Sequence, residues 1–369
     1  MHRTAWSRSW APTAMALAAI VLAAPPARAQ GPAESPTARH ELALKNPDPR
    51  TRERAARALA KLGPKALPAA DALVLALKDP DRGTRYAAVD ALARIGEPVV
   101  GRLIAVLKDP DADTRYAATK ALSDIGAPAA GPLVAALAAP EETARLAAMG
   151  AIGRLGAAGA PAVGELAKLL TDPSEPVRAG AADAMAQLGP VAAAGIAALV
   201  TALEDPQGHV RNNAGEALAA IGDAAIPGLV GALGSASGLA RKRAADALVA
   251  QGEKPVPALV AAMANAAPNM DTRRAYAAVV VGMIGAKAAG AVPGLTAALA
   301  RTNPSELRRA AARALGQIGT AAASAIPALD ECTLADEDDL ELRGIAYEAA
   351  TTLREAVEQA RRDKAPKDK

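Results

Sequence analysis

Asp109-Pro110-Asp111-Ala112-Asp113-Thr114-Arg115-Tyr116-Ala117-Ala118-Thr119-Lys120-Ala121-Leu122-Ser123-Asp124-Ile125-Gly126 reads as one helix with its start and stop signals attached. The residue before a proline is pushed out of the α region, so Asp109-Pro110 ends whatever precedes it. An Asp in the turn can accept the free amide hydrogens of the next helix. That helix is expected from about Ala112 to Ile125, with Ala118, Ala121, Leu122 and Ile125 on its inner face. Gly126 then ends it, as glycine does beyond a C-cap. On the upstream side, Val99 to Leu107 forms a shorter helix, with Leu103, Ile104 and Leu107 on one face.

The same register runs through nearly the whole chain. Arg52, Arg85, Arg115, Arg145, Arg178, Arg211, Arg241, Arg274, Arg308 and Arg343 are each followed three positions later by Ala. The steps between them are 33, 30, 30, 33, 33, 30, 33, 34 and 35 residues. A period in the thirties signals stacked two-helix units, each touching mainly its neighbours. The turn recurs as Asn46-Pro47, Asp79-Pro80, Asp172-Pro173 and Asp205-Pro206, is weakened at Ala139-Pro140 and is lost at Ser235-Ala236.

The Asp-Pro-Asp turn, the Arg five residues after the Pro and the run from Arg115 to Gly126 resemble the HEAT repeat, in the short bacterial form of the phycobilin lyases. The resemblance covers about residues 37–357. It implies an all-α, right-handed α-solenoid of about ten HEAT-like repeats, with the Arg-bearing helices lining the concave face. It also implies a ladder pairing Asp79 with Arg85, Asp109 with Arg115, Asp172 with Arg178 and Asp205 with Arg211. At 8–10 Å between neighbouring helices, ten units would extend roughly 100 Å.

The ends read differently. His2, Arg3 and Arg8 precede an apolar run from Thr13 to Ala24 and an Ala27-Arg28-Ala29 cleavage pattern. This is expected to be a signal peptide, residues 1–29, cut after Ala29. The run is too short for a bilayer, which needs about 20 residues. A linker over 30–36, a solenoid over 37–360 and a charged, frayed tail over 361–369 complete the division. The expected location is periplasmic or extracellular. Without the leader's three Arg, the 42 basic and 39 acidic residues become 39 of each, so net charge gives no reason to expect nucleic acid. Both Trp also leave with the leader, and no Phe is present, so the core must be built from Ala, Leu, Val and Ile. Cys332 is the only cysteine and reads as a small buried residue.

No grouping of residues points to chemistry. The phycobilin lyases are enzymes, and deoxyhypusine hydroxylase, which has a similar architecture, holds two irons through several His-Glu pairs. Here only His40-Glu41 has that form, and His209 stands apart. Asp109, Asp111 and Asp113 imitate the opening of a calcium loop, but Thr114 and Lys120 occupy the positions that need Gly and Glu. The acids from Asp336 to Glu341 read as a solvated first turn of the last helix. No catalytic residue, metal or cofactor is expected.

What remains is surface. Positions one, five and nine after each Arg should form an exposed ridge. Tyr86 and Tyr116 occupy equivalent ridge places in adjacent repeats, followed by Leu146. In the eighth repeat the ridge is Ala275, Val279 and Met283, beside Tyr276. These side chains are the candidate partner contacts, and the eighth repeat is a candidate for self-association. The expected function is an exported scaffold gripping another protein. The alternatives are a bilin-lyase-like enzyme or a structural element of the envelope.

Overall fold

The computed structural model describes residues 35–334 and 337–364. The leader lies outside them, as do residues 30–34, residues 335–336 and the tail beyond Lys364. Among the described residues the chain is helical, without strands, and alternates a short first helix with a longer second one. In the unit quoted above, the first helix is Val100–Val106 and the second is Ala112–Ile125. Asp111 caps the second: its carboxylate accepts the Thr114 amide at 2.8 Å and the Thr114 hydroxyl at 2.6 Å. Thr114 is itself buried, so the cap is part of the packing.

The second helices stack on one another from Pro49–Leu62 through Arg82–Ile95 and onward to the helix that begins at Leu340. Their interface is built from small residues. All ten Ala three positions after the register Arg are buried. At Gly282, an added methyl group would sit 3.0 Å from the Ala314 Cα of the next repeat, so neighbouring backbones nearly touch. Leu59, Leu92, Leu122, Leu218 and Leu248 fill the space between the two helix layers. Such close, repeated contacts replace the single large core of a globular domain.

Glycine sets where each second helix stops. Eleven residues after the first nine register Arg stands a Gly with φ between 54° and 83°, a conformation that other residues adopt with strain. The tenth position holds Arg354, and the last helix runs without interruption from Leu340 to Lys364. Residues 361–364, expected to fray, therefore continue this helix. At the other end, Pro36 opens the first helix, Pro36–Ala43, and is not part of a linker.

Glu175–Ala202 and Asp271–Ala298 are long and apolar enough to cross a bilayer by length and composition alone. Each is two helices joined by a tight turn at a positive-φ glycine, Gly189 or Gly285. Met185 and Val281 within them are fully buried. The repeat core accounts for their apolarity.

Candidate functional site

The register Arg ties each turn to its second helix. Nη1 of Arg115 donates to the carbonyls of Asp109 at 2.7 Å and Pro110 at 2.8 Å. The same forked contact recurs at Arg52, Arg85, Arg145, Arg178, Arg211 and Arg241. It survives where the turn has lost both Asp and Pro, at Ser235-Ala236, because it reads backbone oxygen rather than side chain.

The carboxylate ladder differs from its expected register. No turn Asp pairs through its side chain with the Arg six residues after it; the partner lies in the neighbouring repeat. Arg178 donates Nε to Asp205 at 2.7 Å and Nη2 at 3.2 Å. Arg52 grips Asp79 in the same way, at 2.6 and 2.8 Å. Arg145 lies 3.8 Å from Asp172. Burial works against ionisation of Asp79 and Asp205, but the Arg and the turn amides hold both carboxyls below the usual range. Further along, Arg274 donates to Asn303 at 2.6 Å and Arg308 is paired with the buried Glu337.

Where the next turn carries an Asp, step length decides which rungs form. Arg241, before a 33-residue step, has no rung among the described residues because Pro268 stands in that place. The pairs Arg52–Asp79, Arg145–Asp172 and Arg178–Asp205 all span 33-residue steps. In the 30-residue steps the turn after the second helix is shorter: Glu97–Val99 replaces the seven-residue form seen at Gly63–Ala69. There the register Arg loses the rung. Lys78 takes the Asp109 carboxylate, leaving Arg85 with Asp113 at 3.9 Å. Arg115 and Arg211 have no carboxylate within ion-pair distance among the described residues.

The acidic run before the last helix, expected to be a solvated first turn, supplies rungs instead. Glu337 takes the ladder place; its carboxyl is held down by Arg308. Asp339 caps the helix at Leu342 and accepts Arg309 at 2.9 Å. Glu341 binds Arg309 and Arg313 at 2.6 and 2.8 Å. Asp336 lies outside the described residues. Cys332 is buried, and burial pushes its thiol up despite the nearby Arg308.

The candidate surface residues divide into three groups. Tyr86 and Tyr116 are 46% and 50% exposed and line one cleft of about 320 Å³ between their repeats. Arg82 lies 5.1 Å from the Tyr86 ring centre and donates to its hydroxyl at 3.0 Å. Arg154 lies 5.4 Å from the Tyr116 ring centre. Leu146 does not extend this exposed pair: it is half-buried, its Cδ2 only 3.0 Å from where a Cβ on Gly180 would sit. In the eighth repeat Val279 and Met283 are exposed, whereas Ala275, expected on the ridge, is buried. Tyr276 is half-buried beneath Arg241, 4.7 Å from its ring centre. The last helix leaves Val279 and Met283 uncovered. Sequence reasoning missed Arg82. Its place four residues before Tyr86, within reach along a helix face, was the signal.

Among solved structures, Kap121p bound to Pho4p is similar at a TM-score of 0.50 and 14% identity, over 87% of this chain and 41% of that one. Kap121p bound to RanGTP gives 0.48 and 14%, over 87% and 41%. Yeast importin-β, Kap95p, gives 0.42 and 14%, over 89% and 52%. The chain thus spans about two fifths to one half of these proteins, and the likeness is one of fold. No curated protein matches it. The HEAT-repeat family model matches residues 36–101, 70–153, 163–249, 196–279 and 256–351. With helix pairs in one register and family matches reaching from residue 36 to residue 351, the chain belongs to the HEAT-repeat family.

Proposed function

We propose that this chain is an exported, non-enzymatic scaffold that binds another protein along the concave face formed by its second helices. The observation that carries the reading is the cleft holding Tyr86 and Tyr116. Two half-exposed aromatic rings at equivalent positions of adjacent repeats supply rigid contact area on an otherwise polar face, the composition of an interface anchor. The exposed pair Val279 and Met283 supports a second contact, between copies of the chain. Export rests on the basic start, apolar run and Ala27-Arg28-Ala29 pattern; mass spectrometry of host protein should find Gln30 at the terminus.

A crosslinked pull-down from host extract tests the binding reading. The chain beginning at Gln30 should capture a protein that the double variant Tyr86→Ala/Tyr116→Ala captures at least ~10-fold less well, as removal of about 1.4 kcal/mol or more requires. Both side chains are half exposed, so the variant should keep its helical content. Equal capture by the two proteins, or capture by neither, refutes the reading.

A further inference from the structure

Two consecutive 30-residue steps place unusual chemistry side by side. Each leaves the register Arg with its Nη1 on turn carbonyls and without a forked carboxylate: Arg85 has only Asp113, at 3.9 Å, and Arg115 has none within ion-pair distance among the described residues. Those two residues, Arg85 and Arg115, line adjacent clefts of about 320 and 230 Å³, and Tyr116 borders both. Arg82 and Lys120 add positive charge to the first cleft, whose lining holds a single acid, Asp113; Lys120 is also paired with Asp124 just outside it, at 2.7 Å. The surroundings carry the same sign. Residues 35–126 hold sixteen basic and twelve acidic residues, whereas residues 127–369 hold 23 basic and 26 acidic.

We infer that this paired cleft binds an acidic, extended segment of a protein partner, its carboxylates pairing with Arg85 and Arg115 and its backbone lying across Tyr86 and Tyr116. The inference rests on the protein-binding reading above and specifies the partner's chemistry. The open edge of Arg115 and the loosely held edge of Arg85 can present the fork that Arg52 and Arg178 already use on Asp79 and Asp205, so the chain displays the preferred geometry elsewhere. Spacing fits an extended ligand. Neighbouring helices lie about 8–10 Å apart, and a polyproline II segment advances about 9 Å in three residues. One acid every third residue would meet one repeat each. A nucleic acid fits less well, because Asp113 faces the cleft and the chain carries no net basic excess beyond its leader.

Fluorescence anisotropy with the full chain from Gln30 tests this. The probe is a labelled twelve-residue peptide of Asp-Pro-Pro repeats; Lys-Pro-Pro repeats and a labelled single-stranded oligonucleotide are the comparisons. The acidic peptide should bind, weaken as salt rises, and lose at least ~10-fold in affinity with Arg82→Glu/Lys120→Glu. These two side chains lie at the surface, so their reversal spares the turn contacts of Arg85 and Arg115. Reversal of Lys242, at the ridge place equivalent to Tyr86 but five repeats away, should leave binding unchanged. The inference is overturned if the acidic peptide binds no better than the basic one, if the double reversal binds it equally, or if the oligonucleotide binds as tightly with the same sensitivity. Failure here with Tyr-dependent capture intact removes only the acidic segment; loss of that capture removes the function itself.

Discussion

The cross-repeat ladder makes a quantitative claim at Arg178 and Asp205. Asp205 accepts two bonds from Arg178, at 2.7 and 3.2 Å, and its Oδ1 also accepts the Gln207 amide at 2.8 Å. The two side chains are 13% and 7% exposed. Exposed ion pairs contribute about 0–1 kcal/mol, and stripping one partner from a buried pair costs about 3–5 kcal/mol. This nearly buried pair lies between, so Asp205→Ala should cost about 2–3 kcal/mol. In a double-mutant cycle, Arg178 and Asp205 should couple by about 1–2 kcal/mol. Arg211 supplies the control. It bonds Asp205 through the backbone carbonyl, which Ala keeps, and feels the carboxylate only through space, so Arg211 and Asp205 should couple more weakly, by less than about 1 kcal/mol. A solenoid need not unfold in one step. The measurement is therefore native-state hydrogen exchange in Glu175–Leu188 and Gly208–Ile221, which reports local opening. Coupling that is absent for Arg178, or equal for Arg178 and Arg211, refutes the cross-repeat register.

Three further outcomes are expected. Ala118→Leu puts extra methylenes into a fully buried contact and should lower stability by roughly 1–3 kcal/mol, seen as a lower thermal midpoint; an unchanged melt would contradict the packing. Asp79, Asp205, Glu337 and Asp339 have carboxyls held below their ordinary values. A lowered folded value contributes stability that is present above the unfolded pKa and is lost as pH falls through the folded one, so the thermal midpoint should drop below about pH 4. Neutralising Glu337 with Glu337→Gln should flatten part of that drop. Val279→Glu with Met283→Lys should leave the monomer folded and abolish any dimer seen by light scattering; unaltered association would make the patch ordinary surface.

The helices were legible because their signals are local. The turn, the buried Ala and the capping Gly of Asp109–Gly126 each act within a few residues, and the second helix falls on Ala112–Ile125 as its sequence predicts. Even the run-on of the last helix was written at Arg354, where Gly is missing. The ladder was not legible in its true register, because which carboxylate reaches Arg178 depends on how one repeat sits on the next. The hint was numerical: 33-residue steps bring Asp within reach, and 30-residue steps bring Lys78 to Asp109 in place of Arg85. The candidate cleft was half legible. The tyrosine pair stood out in the alignment of repeats, whereas the fold of Leu146 onto Gly180 and of Arg241 over Tyr276 depends on packing between units.

The uneven steps also give the molecule an uneven mechanics. Where a rung joins two repeats, sliding or hinging them apart must break a forked ionic contact as well as apolar packing. Where the step is short, at Arg85, Arg115 and Arg211, that forked contact is absent, and at the first two joints single pairs from half-exposed lysines, Lys78 with Asp109 and Lys108 with Glu141, stand in its place. A load applied along the stack therefore concentrates its strain at those joints, two of them adjacent. The solenoid behaves as a rod with softer segments at set places, and one of them carries the tyrosine cleft.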